Sequence, residues 1–111
     1  MFAKKIIENA DGVAELLTLL GNGKRLVIIG HLLEGELSVG AIAKKVGLSQ
    51  SALSQHLAKL RNLGLVETRR DRQTIYYSCN SEAVRVLFQA LDANFNRVNA
   101  DARREPAELD Q

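Results

Sequence analysis

The sequence predicts a mainly α-helical fold with one small β-hairpin, an α+β arrangement of five helices and two strands. Three observations predict it. Apolar residues recur at three- and four-residue steps over five segments. β-Branched and aromatic residues concentrate in one stretch, Val66 to Ser78. Ser and Gly stand at the junctions, where helix starts and stops use them. At 111 residues the chain has room for one domain, expected over 1–100, followed by a disordered tail at 101–111 that contains Pro106.

The first helix is expected over Ala3–Leu20, with Phe2, Ile6, Ala10, Val13, Leu16, Leu17 and Leu20 at helical spacing. Gly21-Asn22-Gly23 supplies turn chemistry to end it. The second, Lys24–Leu33, carries Leu26, Val27, Ile29, Leu32 and Leu33 around much of its circumference, which predicts a central place in the core. Ser38 is a good N-cap for a third helix, Val39–Val46, and Gly47 is its stop. Ser49 caps a fourth, Gln50–Leu63, which Gly64 ends. The hairpin pairs Val66–Arg70 with Thr74–Ser78 across Asp71-Arg72-Gln73. Ser81 caps the fifth helix, Glu82–Ala100, whose stripe is Val84, Leu87, Phe88, Leu91, Phe95 and Val98.

Two short helices joined by Gly47-Leu48-Ser49 have the sequence form of a helix-turn-helix. A basic hairpin directly after them makes the layout a winged helix. The terminal helices carry more apolar surface than so small a core absorbs, and a symmetric dimer would cover it. Ile6, Val13, Leu17, Val84, Leu87, Leu91 and Phe95 are the expected dimer contacts.

Charge points to the partner. Ser38 to Asn80 holds seven basic and two acidic residues, a net +5, while the rest of the chain sums to −3. A basic centre between acidic ends suits a polyanion. The fourth helix opens Ser49-Gln50-Ser51-Ala52-Leu53-Ser54-Gln55-His56 and has no acid as far as Gly64. A Gln amide pairs bidentately with adenine N6 and N7, and Ser bonds bases or phosphates. Solvated helix faces ordinarily mix Glu with Lys at i, i+4 spacing, so an acid-free polar face favours an anion. The expected DNA contacts are Ser49, Gln50, Ser51, Ser54, Gln55, His56 and Lys59 on the helix, and Arg70, Arg72 and Gln73 on the wing. Tyr76 and Tyr77 are read as hairpin packing.

Other classes find little support. The single cysteine, Cys79, cannot form an intrachain disulfide, which fits a reducing compartment and a cytoplasmic protein. Lys4, Lys5, Glu8 and Asp11 interrupt the apolar residues near the start, so no signal peptide or membrane partner is expected. There is no nucleophile–His–carboxylate grouping, Gly-rich phosphate loop or metal quartet, so neither an enzyme nor a cofactor is expected. His31 is alone among apolar residues and reads as packing.

Several runs together resemble the ArsR/SmtB family of bacterial repressors: Lys24-Arg25-Leu26 through Leu33, Ala43 through Val46, Gly47 through Leu57, and Thr68-Arg69-Arg70-Asp71 with Tyr76-Tyr77. The pattern is closest to its NolR-like subgroup, which lacks metal-binding cysteines. The resemblance covers about Leu16 to Leu91. It implies a homodimer joined by the first and last helices, recognition by Gln50–Leu63, and repression from an imperfect palindromic operator in double-stranded DNA. Metal-sensing members carry a Cys-Val-Cys segment where this chain has Ser38-Val39-Gly40, so no metal is expected there. A second metal site of the family uses Asp and His on the last helix, where this chain has only Asp92 and no His. Two alternatives remain: a ligand- or redox-gated sensor, and a winged-helix module that binds protein instead of DNA.

Overall fold

The computed structural model describes residues 2–103. Its order is α1 (Lys4–Glu8), α2 (Ala10–Leu20), α3 (Gly23–Glu34), β1 (Leu37–Ser38), α4 (Val39–Val46), α5 (Gln50–Asn62), β2 (Glu67–Asp71), β3 (Thr74–Ser78), α6 (Glu82–Ala93) and α7 (Phe95–Arg103). The α+β class stands. The count is seven helices and three strands among the described residues, where five and two were expected.

Both extra helices arise in the same way. The expected first helix breaks at Asn9 and the expected last one at Asn94, with φ/ψ of −122/32 and −112/23. In each break the Asn side-chain amide donates to the carbonyl four residues back, Lys5 O at 2.7 Å and Ala90 O at 2.8 Å. A short amide that reaches the backbone competes with the helical ladder, and here it ends one helix and starts the next. α7 runs to Arg103, so the first residues of the expected tail are helical; 104–111 lie outside the described residues.

The third strand is Leu37–Ser38, which pairs antiparallel with β3 through Leu37↔Tyr77 and Ser38↔Tyr76. The sheet order is β1-β3-β2. Two residues are too few to show a period of two, so this edge strand has no sequence signal.

The serine caps fall where they were read, and Asn22, read as turn chemistry only, is a fourth. Ser38, Ser49 and Ser81 each accept from the backbone N–H three residues on, at 3.1–3.2 Å. Asn22 does the same for α3 at 3.1 Å. Gly47 and Gly64 take left-handed φ of 70 and 78, which an L side chain adopts only at a cost.

The chain divides into one compact unit ending at Asn80 and a second beginning at Ser81. The first is built on Leu20, Ile28, Ile29, Leu32, Ile42, Val46, Leu53, Leu57, Leu60, Leu65, Val66 and Cys79, all buried. α3 is less enclosed than its composition suggests, because Ile28, Ile29 and Leu32 face inward while Leu26 and Val27 stay exposed. In the second unit, α6 and α7 carry exposed Val86, Leu91, Phe95 and Val98.

Candidate nucleic-acid interface

α4 and α5 form the helix-turn-helix, and the turn is built from three local devices. Ser38 caps the start of α4. Gly47 turns the chain out of it, with its N–H on Ala43 O at 2.9 Å. Ser49 caps α5 by accepting from Ala52 N–H at 3.2 Å. Lys24 Nζ adds a bond to Val46 O at 3.4 Å, placing a cation at the C-terminal end of α4.

α5 sorts its residues by face. Leu53, Leu57 and Leu60 are buried. Gln50, Ser51, Ser54, Gln55 and Lys59 are exposed. Ala58 and Asn62 are exposed as well; Asn62 lies two turns after Gln55, so helical periodicity alone would have added it to the expected set. Ser49 spends its hydroxyl on the cap, with Ser51 Oγ 3.5 Å away.

His56 stands apart from that row. It is partly buried, and its Nδ1 accepts from Arg25 Nε at 3.2 Å. Arg25 Nη1 donates in turn to Leu19 O at 3.1 Å, so one guanidinium ties α5 to the end of α2. Burial, then the nearby charges of Arg25, Lys59 and Lys24, holds the imidazole below its ordinary pKa. An acceptor Nδ1 beside three cations is consistent with a neutral ring. Beside it, Glu15, Thr18, Leu19, Arg25, Lys59, Asn62 and Leu63 line a groove of about 450 Å³.

The wing is the β2–β3 hairpin, paired from Glu67↔Ser78 to Asp71↔Thr74. Its turn is Arg72-Gln73, and Arg72 has φ 61, the left-handed region that favours glycine. Arg70, Arg72 and Gln73 are exposed, and neither arginine makes an ion pair among the described residues. Arg69 behaves differently. Its Nε and Nη2 donate to Glu36 Oε2 and Oε1, both at 2.7 Å, and its guanidinium lies 4.6 Å from the Tyr76 ring centre. The hydrogen-bonded guanidinium lowers the Glu36 pKa, and the same bond raises that of Arg69. Tyr76 therefore packs on the hairpin and also seats Arg69. Glu36, 33 residues from its partner, was not legible in the sequence.

Of the expected dimer residues, Ile6, Leu17, Leu91 and Phe95 are exposed, and Val13 and Leu87 are half-buried. Val84, by contrast, is buried, at 2% exposure. The stripe on α6 mixes a core position with surface ones, and periodicity cannot tell them apart.

Comparison with known proteins gives the family. Residues 22–68, from the cap of α3 into β2, match the model of "Bacterial regulatory protein, arsR family". The nodulation protein NolR of Rhizobium meliloti is 57% identical over 76% of this chain and 69% of its own. The transcriptional activator HlyU of Vibrio cholerae is 40% identical over 89% of this chain and 92% of its own. The crystal structure of the transcriptional repressor BigR from Xylella fastidiosa superposes with a TM-score of 0.79 at 38% identity, over 86% of this chain and 97% of that one. The solution structure of the homodimeric winged helix-turn-helix DNA-binding domain of Mb0332 from Mycobacterium bovis gives 0.69 at 36%, over 90% and 88%. A winged helix-turn-helix, an acid-free polar face on α5 and relatives of this identity lead to one conclusion: the chain belongs to the arsR family of bacterial regulatory proteins and is a DNA-binding transcription regulator.

Proposed function

We propose that the chain acts as a homodimeric repressor in the cytoplasm. It reads an imperfect palindrome through α5 and needs no metal to do so. The observation that carries this is the exposed row Gln50, Ser51, Ser54 and Gln55 on a helix without acids, followed in the chain by a wing whose Arg70 and Arg72 have no acidic partner among the described residues. Amides and hydroxyls read base edges, while the wing and Lys59 hold phosphates. Residues 1–100 serve as one DNA-binding and dimerisation domain in this reading. Exposed Ile6, Leu17, Leu91 and Phe95 supply its dimer contacts, and Mb0332 is a homodimer. Repression rests on likeness to BigR and on the simple fact that a small dimer on a promoter obstructs polymerase; HlyU, an activator, is the counterexample among the relatives. Among the described residues no group of three His, Cys, Asp or Glu side chains could hold a metal, and no single helix is long and apolar enough to cross a membrane.

Hydroxyl-radical footprinting on a fragment selected from genomic DNA tests the reading. Two protected half-sites about one helical turn apart, roughly 10 bp, are expected. A single unpaired protected patch would contradict the dimer, and no protection would contradict DNA reading.

The groove beside Arg25 and Lys59 favours a second reading, in which a small molecule gates the same repressor. Its volume falls within the range of about 300–1,000 Å³ usual for ligand sites, and two of its walls belong to α5 and α3. A thermal-shift panel of small molecules and thiol oxidants separates the two readings. A shift abolished by Lys59→Ala supports gating by a ligand.

A further inference from the structure

We propose that Glu36 is a positioning residue of the wing: it holds Arg69 in a neutralised pair over Tyr76, so that Arg70 and Arg72, and not Arg69, are the wing's phosphate-binding cations. This rests on the DNA-binding reading above. Three elements meet in the pair. Glu36 immediately precedes β1, Tyr76 lies on β3 opposite Ser38, and Arg69 lies on β2 opposite Tyr76. The contact thus spans the whole three-stranded sheet, from the edge strand next to α4 to the outer strand of the wing. It joins the wing to the segment that leads into the helix-turn-helix.

The geometry is that of a fork on a carboxylate. Two parallel N–H···O bonds at 2.7 Å fix the guanidinium plane, and the ring 4.6 Å away supports one face. Side-chain exposures of 55% for Arg69 and 33% for Glu36 mean that water screens the pair, so its value lies in orientation more than in stability. Strand alternation completes the argument. Arg69 and Arg70 project from opposite faces of β2, so seating Arg69 on the Tyr76 side leaves Arg70 on the other. A cation already matched by a carboxylate displaces no counterion from DNA, whereas a free one does.

The experiment measures the salt dependence of binding to a mixed-sequence duplex of about three helical turns. The variants are Arg69→Ala, Glu36→Ala, the double variant, Arg72→Ala, and Glu34→Ala as a control that removes the same charge two residues away. Arg69→Ala is expected to leave the slope of log K on log salt unchanged, while Arg72→Ala lowers it by about 0.9 per protomer. Glu36→Ala frees Arg69 and steepens the slope by a similar amount, about 0.9. Glu34→Ala does not, and neither does Glu36→Ala in the Arg69→Ala background. A slope loss in Arg69→Ala equal to that of Arg72→Ala would overturn the proposal, as would an unchanged slope in Glu36→Ala. A readout without DNA separates this from failure of the DNA-binding reading. In ¹⁵N spectra of the free protein, Arg69 Nε–H should exchange more slowly than Arg72 Nε–H and lose that protection in Glu36→Ala. Equal exchange for the two arginines would show that the pair does not form, whatever the protein binds.

Discussion

Replacing Arg72 by glycine should move stability and DNA affinity in opposite directions. Arg72 sits first in the two-residue turn of the wing at φ 61. For an L residue the left-handed region costs roughly 1–2 kcal/mol. Glycine removes that cost but brings about 0.4–1 kcal/mol of extra unfolded-state entropy. The net gain is therefore up to about 1.6 kcal/mol and centred on ~0.8 kcal/mol, or a few degrees in Tm for a domain of this size at fixed protein concentration. Binding responds the other way. One phosphate contact contributes a slope of about −0.9, so a dimer that loses two contacts loses about 1.8. Across a rise in salt from about 50 to about 200 mM, that flattens the fall in affinity by roughly twelve-fold. Calorimetry and fluorescence anisotropy on the same preparation read both quantities. A destabilised Arg72→Gly would show that the turn is not strained. An unchanged slope would show that Arg72 does not touch the backbone of DNA.

Three further outcomes follow from the same structure. Gln55→Ala should weaken operator binding by about 1–3 kcal/mol and leave random-sequence binding nearly untouched, measured by competition; equal losses on both would mean that Gln55 reads no base. Leu91→Asp, at an exposed apolar position of α6, should convert dimer to monomer in light scattering, and persistent dimer mass would remove α6 from the interface. His56 has a folded pKa held below 6.5, so its neutral form stabilises the native state fully above pH 6.5, and that contribution falls away as the pH drops below it. Denaturant titrations at pH 7.5 and 5 should show a larger acid-side loss in the wild type than in His56→Gln, and a smaller loss would reverse the sign argued here.

Much of the fold was legible because its signals are local. Ser38, Ser49 and Ser81 are caps in the sequence and caps in the structure, and Gly47 and Gly64 occupy left-handed stops. Leu53, Leu57 and Leu60 fix which side of α5 is buried, so the exposed row of amides and hydroxyls could be read by elimination. What escaped depends on contacts that periodicity does not encode. Asn9 and Asn94 break their helices through one side-chain bond each, while most Asn residues in helices break nothing. The bond that holds His56 comes from Arg25, 31 residues away, and has no local signal. Arg70 and Arg72 were read as the wing contacts without Arg69, and the carboxylate of Glu36 that pairs with Arg69 had no local signal. Val84 shares a stripe with Leu87 and Leu91 yet is buried in its own chain, a distinction that only the packing makes.

The most direct test of the account is selection of genomic fragments by the purified protein at low ionic strength, repeated with Gln50 and Gln55 both replaced by alanine. The wild type should enrich a small set of fragments that share a two-fold symmetric sequence, and the double variant should retain salt-sensitive binding while losing the enrichment. No affinity for any fragment, or an unchanged enrichment in the variant, would contradict the assignment of α5 as the reading helix.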